Sequence, residues 1–105
     1  MRRAARIDAN QPDIIDALRR IGASVQPLHQ VGRGCPDLLV GYRGFNVLLE
    51  IKDGNKPESE TTLTIDESRW HNAWRGDVQT VYSVVGALAY VKAFCGIAAR
   101  TSGNR

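Results

Sequence analysis

Two short apolar segments joined by Arg43-Gly44 constrain the fold of this chain more than any other part of its sequence. Segments 37–42 and 45–52 are rich in leucine, valine and isoleucine, and two such runs around a two-residue turn predict a β-hairpin. With this dipeptide at the centre of the turn, Leu39 faces Leu48. A three-residue turn with a bulge would change the partners, so the whole register depends on the turn.

The same register brings three charged side chains together on one face of the hairpin. Asp37 lies opposite Glu50, and Lys52 follows on the same face because side chains alternate along a strand. Opposed Cβ atoms lie about 4.5–5.5 Å apart, where two carboxylates repel each other unless a cation compensates. Mg²⁺ binds one or two carboxylates together with waters and phosphate oxygens. The pattern therefore predicts a metal held by Asp37 and Glu50, with Lys52 orienting a water, assisting its deprotonation or stabilising charge on a phosphate.

A purely structural explanation of these charges is also open. Asp37 could simply begin a strand, and Glu50 could pair with Lys52 on a solvated face, which would make the chain a scaffold without activity. However, Leu49 and Ile51 flank Glu50, and charges within so apolar a hairpin need a compensating partner. We therefore favour a functional site.

Helical and strand patterns place further elements on both sides of the hairpin. Asn10 followed by Pro12 predicts the capped start of a helix that Gly22 ends, and Thr64 with Glu67 predicts a capping box for a second helix. The order α-β-β-β-α-β-α predicts an α/β fold with a mixed sheet flanked by helices and a C-terminal helix. The remaining predicted elements are strands at 24–30 and 79–84, a polar loop at 53–62 and a last helix at 85–99.

Length and composition indicate one ordinary globular domain. Of the 105 residues, 43% are hydrophobic and 24% are charged, and we predict a single domain over 1–105 with a flexible basic arm at 1–9 and a frayed tail at 100–105. The net charge of +3 is compatible with a polyanionic partner but does not demonstrate one. Cys35 and Cys95 form neither a metal-spaced cluster nor a disulfide framework, which favours a reducing, cytoplasmic compartment. We expect neither a secretory signal nor a membrane span.

Other chemical candidates in the sequence are weaker. Gly32-Arg33-Gly34 resembles a phosphate-cradling turn, but it precedes a strand and not a helix, so we interpret its glycines as letting the backbone bend close to the site. Trp70 and Trp74 are spaced for one helix face, where packing in the core competes with stacking on bases. His29 and His71 have no partner at metal-ligand spacing, and we predict packing or surface roles for both.

Two motifs at these positions resemble those of a known enzyme superfamily. Pro36-Asp37, followed after the hairpin by Leu49-Glu50-Ile51-Lys52, resembles the PD … (D/E)xK signature of the restriction-endonuclease-like superfamily. More narrowly, the chain resembles the compact, stand-alone VRR-NUC-type nucleases of phages and prophages, from residue 8 to residue 83. The core of that superfamily is an α-β-β-β-α-β unit, which has the element order predicted above.

The resemblance implies Mg²⁺- or Mn²⁺-dependent hydrolysis of phosphodiester bonds in DNA. It implies that Asp37, Glu50 and the carbonyl of Ile51 are metal ligands and that Lys52 is the catalytic lysine. It also implies a protein encoded by a phage or prophage and acting in the cytoplasm of the bacterial host.

Two positions depart from the pattern of these relatives. Relatives often carry an acidic residue in the first helix that reaches the metal site, and this chain has Gln11 there. We predict that Gln11 takes part in catalysis by accepting a hydrogen bond from metal-bound water or by contacting the ion, without bringing a charge. Relatives often carry glutamine in the second helix, where this chain has Glu67. Glu67 either contributes to the site or only closes the capping box.

Basic side chains and the resemblance together predict how DNA binds. Stand-alone relatives resemble Holliday junction resolvases in being dimeric and in preferring branched DNA, which implies a structure-selective endonuclease. The last helix predicts a homodimer because it is apolar on more than one face, unless the tryptophans and the first helix cover it. The alternative function is a catalytically silent accessory protein that binds nucleic acid. The predicted contacts to phosphates are Arg2, Arg3, Arg6, Arg33 and Lys56.

Overall fold

A four-stranded sheet and its helices make up the fold. The computed structural model describes residues 7–103 and, within them, the side chains of residues 7–96. The basic arm at 1–9 therefore lies mostly outside the described residues. The elements are α1 (Gln11–Arg20), β1 (Ser24–Pro27), β2 (Leu38–Tyr42), β3 (Phe45–Ile51), α2 (Glu58–Thr61), α3 (Ile65–Ala73), β4 (Val78–Val81) and α4 (Val84–Gly103).

The hairpin of β2 and β3 turns at Arg43 and Gly44, as predicted. Both residues have positive φ angles, 51° and 85°, as in the type I′ turn that matches the twist of paired strands. Leu39 pairs with Leu48, so the predicted register is confirmed.

The sheet is mixed and has the strand order β1-β2-β3-β4. The first three strands pair antiparallel, whereas β3 and β4 pair parallel and are joined by a crossover that contains α2 and α3. The predicted α/β fold with a mixed sheet and flanking helices is thus confirmed. Pro27 lies on β1, an edge strand, where its missing N–H group is tolerated.

The core lies between one face of the sheet and two helices. α1 contacts β1 and α4, and α4 also contacts β3. Leu49 and Ile51 of β3 point into this core, so the alternate residues Leu48 and Glu50 lie on the opposite face, and they too are buried. The charged side chains of the hairpin are therefore buried on the face of the sheet opposite to α1 and α4. The buried core residues are Ile14, Leu18, Ala23, Leu38, Val40, Val47, Leu49, Ile51, Val81, Ala87, Val91 and Cys95.

Asn10 does not cap α1, which corrects the prediction. Its backbone has helical angles, and its side chain makes no capping hydrogen bond. The side-chain amide instead donates to the carbonyl oxygens of Lys52 at 3.3 Å and Tyr82 at 3.4 Å. These carbonyls directly follow the C-terminal ends of β3 and β4, so Asn10 connects the start of α1 to those strand ends.

Several element boundaries also differ from the predicted ones. The strand predicted at 24–30 ends at Pro27, because the Val31 N–H group closes a turn onto the Leu28 carbonyl at 2.9 Å. β4 ends at Val81, because the Ser83 hydroxyl caps α4 by accepting from the backbone N–H group of Gly86. The polar loop at 53–62 contains the short helix α2, and α4 continues to residue 103, within the predicted tail. None of the helices described over 7–103 is long and apolar enough to cross a membrane.

Candidate functional site

A cleft opens on the face of the sheet opposite to α1 and α4. Its walls are the 32–35 turn, the segment between β3 and α3, and the first turn of α3, and its floor is formed by Asp37, Glu50 and Lys52. These three floor side chains are the ones that the hairpin pattern predicted to lie together. All three are buried, at 6%, 2% and 8% of full exposure.

Asp37 and Glu50 are two adjacent carboxylates with few compensating partners. The backbone N–H group of Ile51 donates to Oδ2 of Asp37 at 2.6 Å, whereas Oε1 of Glu50 is buried without a hydrogen-bond partner. Burial raises the pKa of Asp37 despite that hydrogen bond. Burial, followed by the charge of Asp37, raises the pKa of Glu50 to about 10. Without a cation, this pair therefore holds a proton at neutral pH.

Lys52 pairs with Glu67 and not primarily with Glu50. Its Nζ donates to Oε1 of Glu67 at 2.8 Å and lies 4.0 Å from Oε2 of Glu50. Burial disfavours the ammonium, but the hydrogen bond and charge of Glu67 outweigh burial and raise the pKa of Lys52. Burial likewise works against the Glu67 carboxylate, and the hydrogen bond from Lys52 lowers its pKa overall. The contact of Lys52 with Glu50, which the purely structural explanation requires, is thus longer than its contact with Glu67.

The capping box of α3 is confirmed, and it is part of the cleft. The Thr64 hydroxyl accepts from the N–H group of Glu67 at 3.2 Å, and Oε1 of Glu67 accepts from the N–H group of Thr64 at 2.8 Å. The same carboxylate oxygen accepts from Lys52. Glu67 therefore performs both roles that the sequence left open, since it caps the helix and positions the lysine.

His71 is a neighbour of the site that the sequence reasoning missed. Its Nε2 lies 3.8 Å from Oε1 of Glu50, and both atoms are buried without a hydrogen-bond partner. Burial lowers the pKa of His71. Its spacing of four residues from Glu67 was the available signal, because residues at i and i+4 share one helix face.

The glycine turn bends the chain tightly against α3, as interpreted from the sequence. Gly32, Arg33 and Gly34 all have positive φ angles, of 70°, 58° and 81°. A Cβ atom on Gly34 would overlap the Asp66 carbonyl and lie 2.9 Å from the Glu67 nitrogen. The turn thus fixes the distance between Asp37, which immediately precedes β2, and the first turn of α3.

The other predicted site residues are distributed unevenly around the cleft. Arg33 and Lys56 line it, and Lys56 forms an ion pair of 3.7 Å with Asp8. Gln11 is buried and lines a separate groove along α1, and its Oε1 has no partner. Asp8, which the sequence did not single out as a site residue, lines the cleft from the N-terminal side. Predicted residues outside the described part of the chain are Arg2, Arg3 and Arg6.

Carboxylates outnumber cations in the cleft lining, although the whole chain has a net charge of +3. Arg33, Lys52 and Lys56 are its basic residues. An electronegative cleft attracts cations and repels a bare phosphate. The acidic lining residues are Asp8, Asp37, Glu50, Glu60, Asp66 and Glu67.

The floor of the cleft suits a hard divalent cation. Within residues 7–103, no group of three or more histidine, cysteine, aspartate or glutamate side chains converges on a ready-made metal position. Asp37 and Glu50 supply two carboxylates, which matches Mg²⁺ because that ion keeps several waters and substrate oxygens in its shell. Burial raises the pKa of both groups, although Lys52 lies 4.0 Å from Glu50, so a bound cation would favour their charged forms.

A comparison of this fold with known proteins identifies its type. A solved structure described as a VRR_NUC domain matches with a TM-score of 0.57 and 29% sequence identity, over 78% of this chain and 89% of that chain. The chain has a VRR-NUC fold. The predicted resemblance to the VRR-NUC type of the PD-(D/E)XK superfamily is thereby confirmed. No family model and no curated protein matches the sequence.

Asp37 immediately precedes β2 and Glu50 lies in β3, at the end of the hairpin remote from its turn, and both line the cleft. A nuclease-type fold fits DNA as a partner.

Proposed function

We propose that this VRR-NUC-type protein is an Mg²⁺- or Mn²⁺-dependent DNA endonuclease that hydrolyses phosphodiester bonds. The observation that carries the proposal is the buried pair of Asp37 and Glu50 beside Lys52 at the floor of an open cleft. Two adjacent buried carboxylates are destabilising in a metal-free protein, and a bound cation offsets this cost. A role in catalysis explains why the chain retains them.

Asp37, Glu50 and the carbonyl of Ile51 would hold the ion. A bound divalent metal lowers the pKa of a coordinated water and polarises a phosphoryl oxygen. The Ile51 N–H group donates to Oδ2 of Asp37 and so orients this carboxylate before an ion binds. Gln11 lines a groove separate from the cleft, and its part in catalysis stays a prediction.

Lys52 is the protein side chain that supplies a positive charge to the reaction. Glu67 holds its ammonium group at 2.8 Å, and this contact favours the charged form. A protonated lysine stabilises the charge that develops on the phosphate, and it orients the attacking water by donating a hydrogen bond. Of the roles that the sequence left open for Lys52, charge stabilisation and water orientation agree best with this geometry.

Phosphates reach the cleft through basic residues at its margin. Arg33 is exposed at the turn, and Lys56 stands opposite, paired with Asp8. We propose that both contact the DNA backbone, together with the arginines of the basic arm. Because the interior of the cleft is acidic, tight approach of the scissile phosphate depends on the metal ion.

We further propose a homodimer that acts on branched DNA in the cytoplasm of a bacterial host. Val85 at the start of α4 is 77% exposed. Trp70 of α3 and Trp74, which follows α3, line a groove with Leu39 and Leu48 on the other face of the sheet, so they do not cover α4. A two-fold dimer places two identical sites in a symmetric relation, which suits paired incisions on a four-way junction.

Cleavage assays test the proposal. The protein is incubated with linear, flapped and four-way-junction DNA, with EDTA, Mg²⁺ or Mn²⁺. We expect cleavage only with the metals, loss of cleavage in Asp37→Asn, and faster cutting of the branched substrates. Binding of all three DNAs without cleavage under any metal condition contradicts the nuclease proposal and supports an accessory role.

A further inference from the structure

The buried contact between His71 and Glu50 is unsatisfied on both sides. Nε2 of the histidine and Oε1 of the carboxylate lie 3.8 Å apart, and neither has a hydrogen-bond partner. Leaving a buried polar atom unpaired destabilises a protein, because the atom loses its hydrogen bonds to water and gains none in return. The two atoms face each other at slightly more than hydrogen-bond distance. We therefore interpret Nε2 as the donor and Oε1 as the acceptor of one hydrogen bond.

The helix that carries His71 fixes its direction. The capping box anchors the first turn of α3, and Gly34 packs directly against that turn, so the helix has little freedom to slide along the sheet. The ring of His71 also makes an edge contact with Trp70, with ring centroids 6.3 Å apart. The helix therefore holds the histidine close to Glu50, and a shift of a few tenths of an ångström between the two side chains brings them within hydrogen-bond distance.

We propose that His71 is a positioning residue that holds the Glu50 carboxylate for the metal ion. Nε2 would donate to Oε1 of Glu50, and Oε2, which lies on the side of Lys52, would remain for the ion. Groups that hydrogen-bond to a metal-ligating carboxylate fix its orientation, and their loss typically weakens metal affinity about 10- to 100-fold. The inference rests on the proposed function, because it assigns His71 to the same metal position.

Two substitutions separate the hydrogen bond from the packing of the ring. His71→Phe keeps an aromatic ring beside Trp70 but removes the nitrogen, whereas His71→Gln places an amide N–H group where Nε2 lies. His29→Phe is the matched control, since His29 also has a buried unpartnered ring nitrogen but lies in the groove along α1. All variants are compared with the parent protein.

Calorimetric titration with Mn²⁺ and thermal melting in EDTA are the measurements. We expect His71→Phe to bind Mn²⁺ about 10-fold more weakly, His71→Gln to recover most of that loss, and His29→Phe to bind like the parent. In EDTA, His71→Phe should melt no lower than the parent, because it removes an unpaired buried nitrogen.

Distinct outcomes separate failure of the inference from failure of the proposed function. A parent that binds no Mn²⁺ refutes the metal site itself, and the role of His71 falls with it. A parent that binds Mn²⁺ while His71→Phe binds equally well overturns the positioning role alone. A lower melting temperature or failed folding of His71→Phe in EDTA also overturns it, because the histidine would then be structural.

Discussion

Replacing Glu50 with glutamine should stabilise the metal-free protein, increasingly so as the pH rises. The pKa of Glu50 is 4.5 in its ordinary state and about 10 in the folded chain, chiefly because of burial and the neighbouring Asp37. Because the pKa of Glu50 is higher in the folded chain than in the unfolded chain, its contribution to the free energy of unfolding is most favourable below pH 4.5. That contribution falls as the pH rises toward 10. The folded state keeps the proton over this window, and the unfolded state does not.

The size of the effect follows from that difference. Each pH unit above the unfolded pKa costs about 1.4 kcal/mol until the folded pKa is reached. At pH 7 the cost is on the order of 3 kcal/mol, which is large against the 5–15 kcal/mol that stabilises a typical domain. Glu50→Gln avoids this cost, so its advantage should grow by about 1.4 kcal/mol per pH unit between pH 5 and pH 8.

Urea denaturation in EDTA across this pH range measures the prediction. Glu60→Gln, an exposed carboxylate at the cleft margin, is the control and should show no such trend. Added Mn²⁺ should make the parent more stable than Glu50→Gln, because a ligand that binds only the folded parent raises its free energy of unfolding. A constant difference between parent and Glu50→Gln from pH 5 to pH 8 would show that the carboxylate pair carries no unfavourable charge.

Further predictions concern catalysis, folding, DNA binding and assembly. Lys52→Ala should abolish cleavage with little loss of DNA binding in a gel-shift assay, and turnover near the parent rate would show that the lysine is misassigned. Gly34→Ala should lower the free energy of unfolding by about 2 kcal/mol or more, from a left-handed backbone and a clash with α3, and an unchanged urea midpoint would contradict this account. Neutralising Arg33 and Lys56 together should flatten the salt dependence of DNA binding by up to about two counterions; an unchanged slope would place the DNA elsewhere. Light scattering should give twice the 11.6 kDa of one chain, and a mass near a single chain would end the dimer proposal.

The hairpin was predictable because its determinants are local. The connection between the two strands has only two residues, Arg43 and Gly44, which selects a tight turn. The alternation of side chains along each strand then fixes which of them share a face. The opposition of Asp37 and Glu50 follows from those two facts alone. This is why the floor of the cleft could be located from the sequence.

The walls of the cleft were harder to predict because they depend on how α3 and α1 dock. The helical period shows that Glu67 and His71 share a face, but it does not show that this face meets Lys52 and Glu50. Asn10 illustrates the same limit, since strand-end carbonyls distant in sequence compete successfully for its amide. Contacts of this kind are set by tertiary packing, which a local pattern does not encode.

Position 67 couples the stability of a helix to the environment of the cleft lysine, and any redesign of this protein has to treat the two together. One oxygen of Glu67 serves the start of a helix and the ammonium of Lys52 at once. Glutamine at this position would preserve an acceptor for the helix but release the lysine from its charged partner. Natural proteins commonly exchange stability for activity at such shared groups. Engineering for thermal tolerance should therefore leave Glu67 in place, because a replacement disturbs the start of α3 and the partner of Lys52 in the same step.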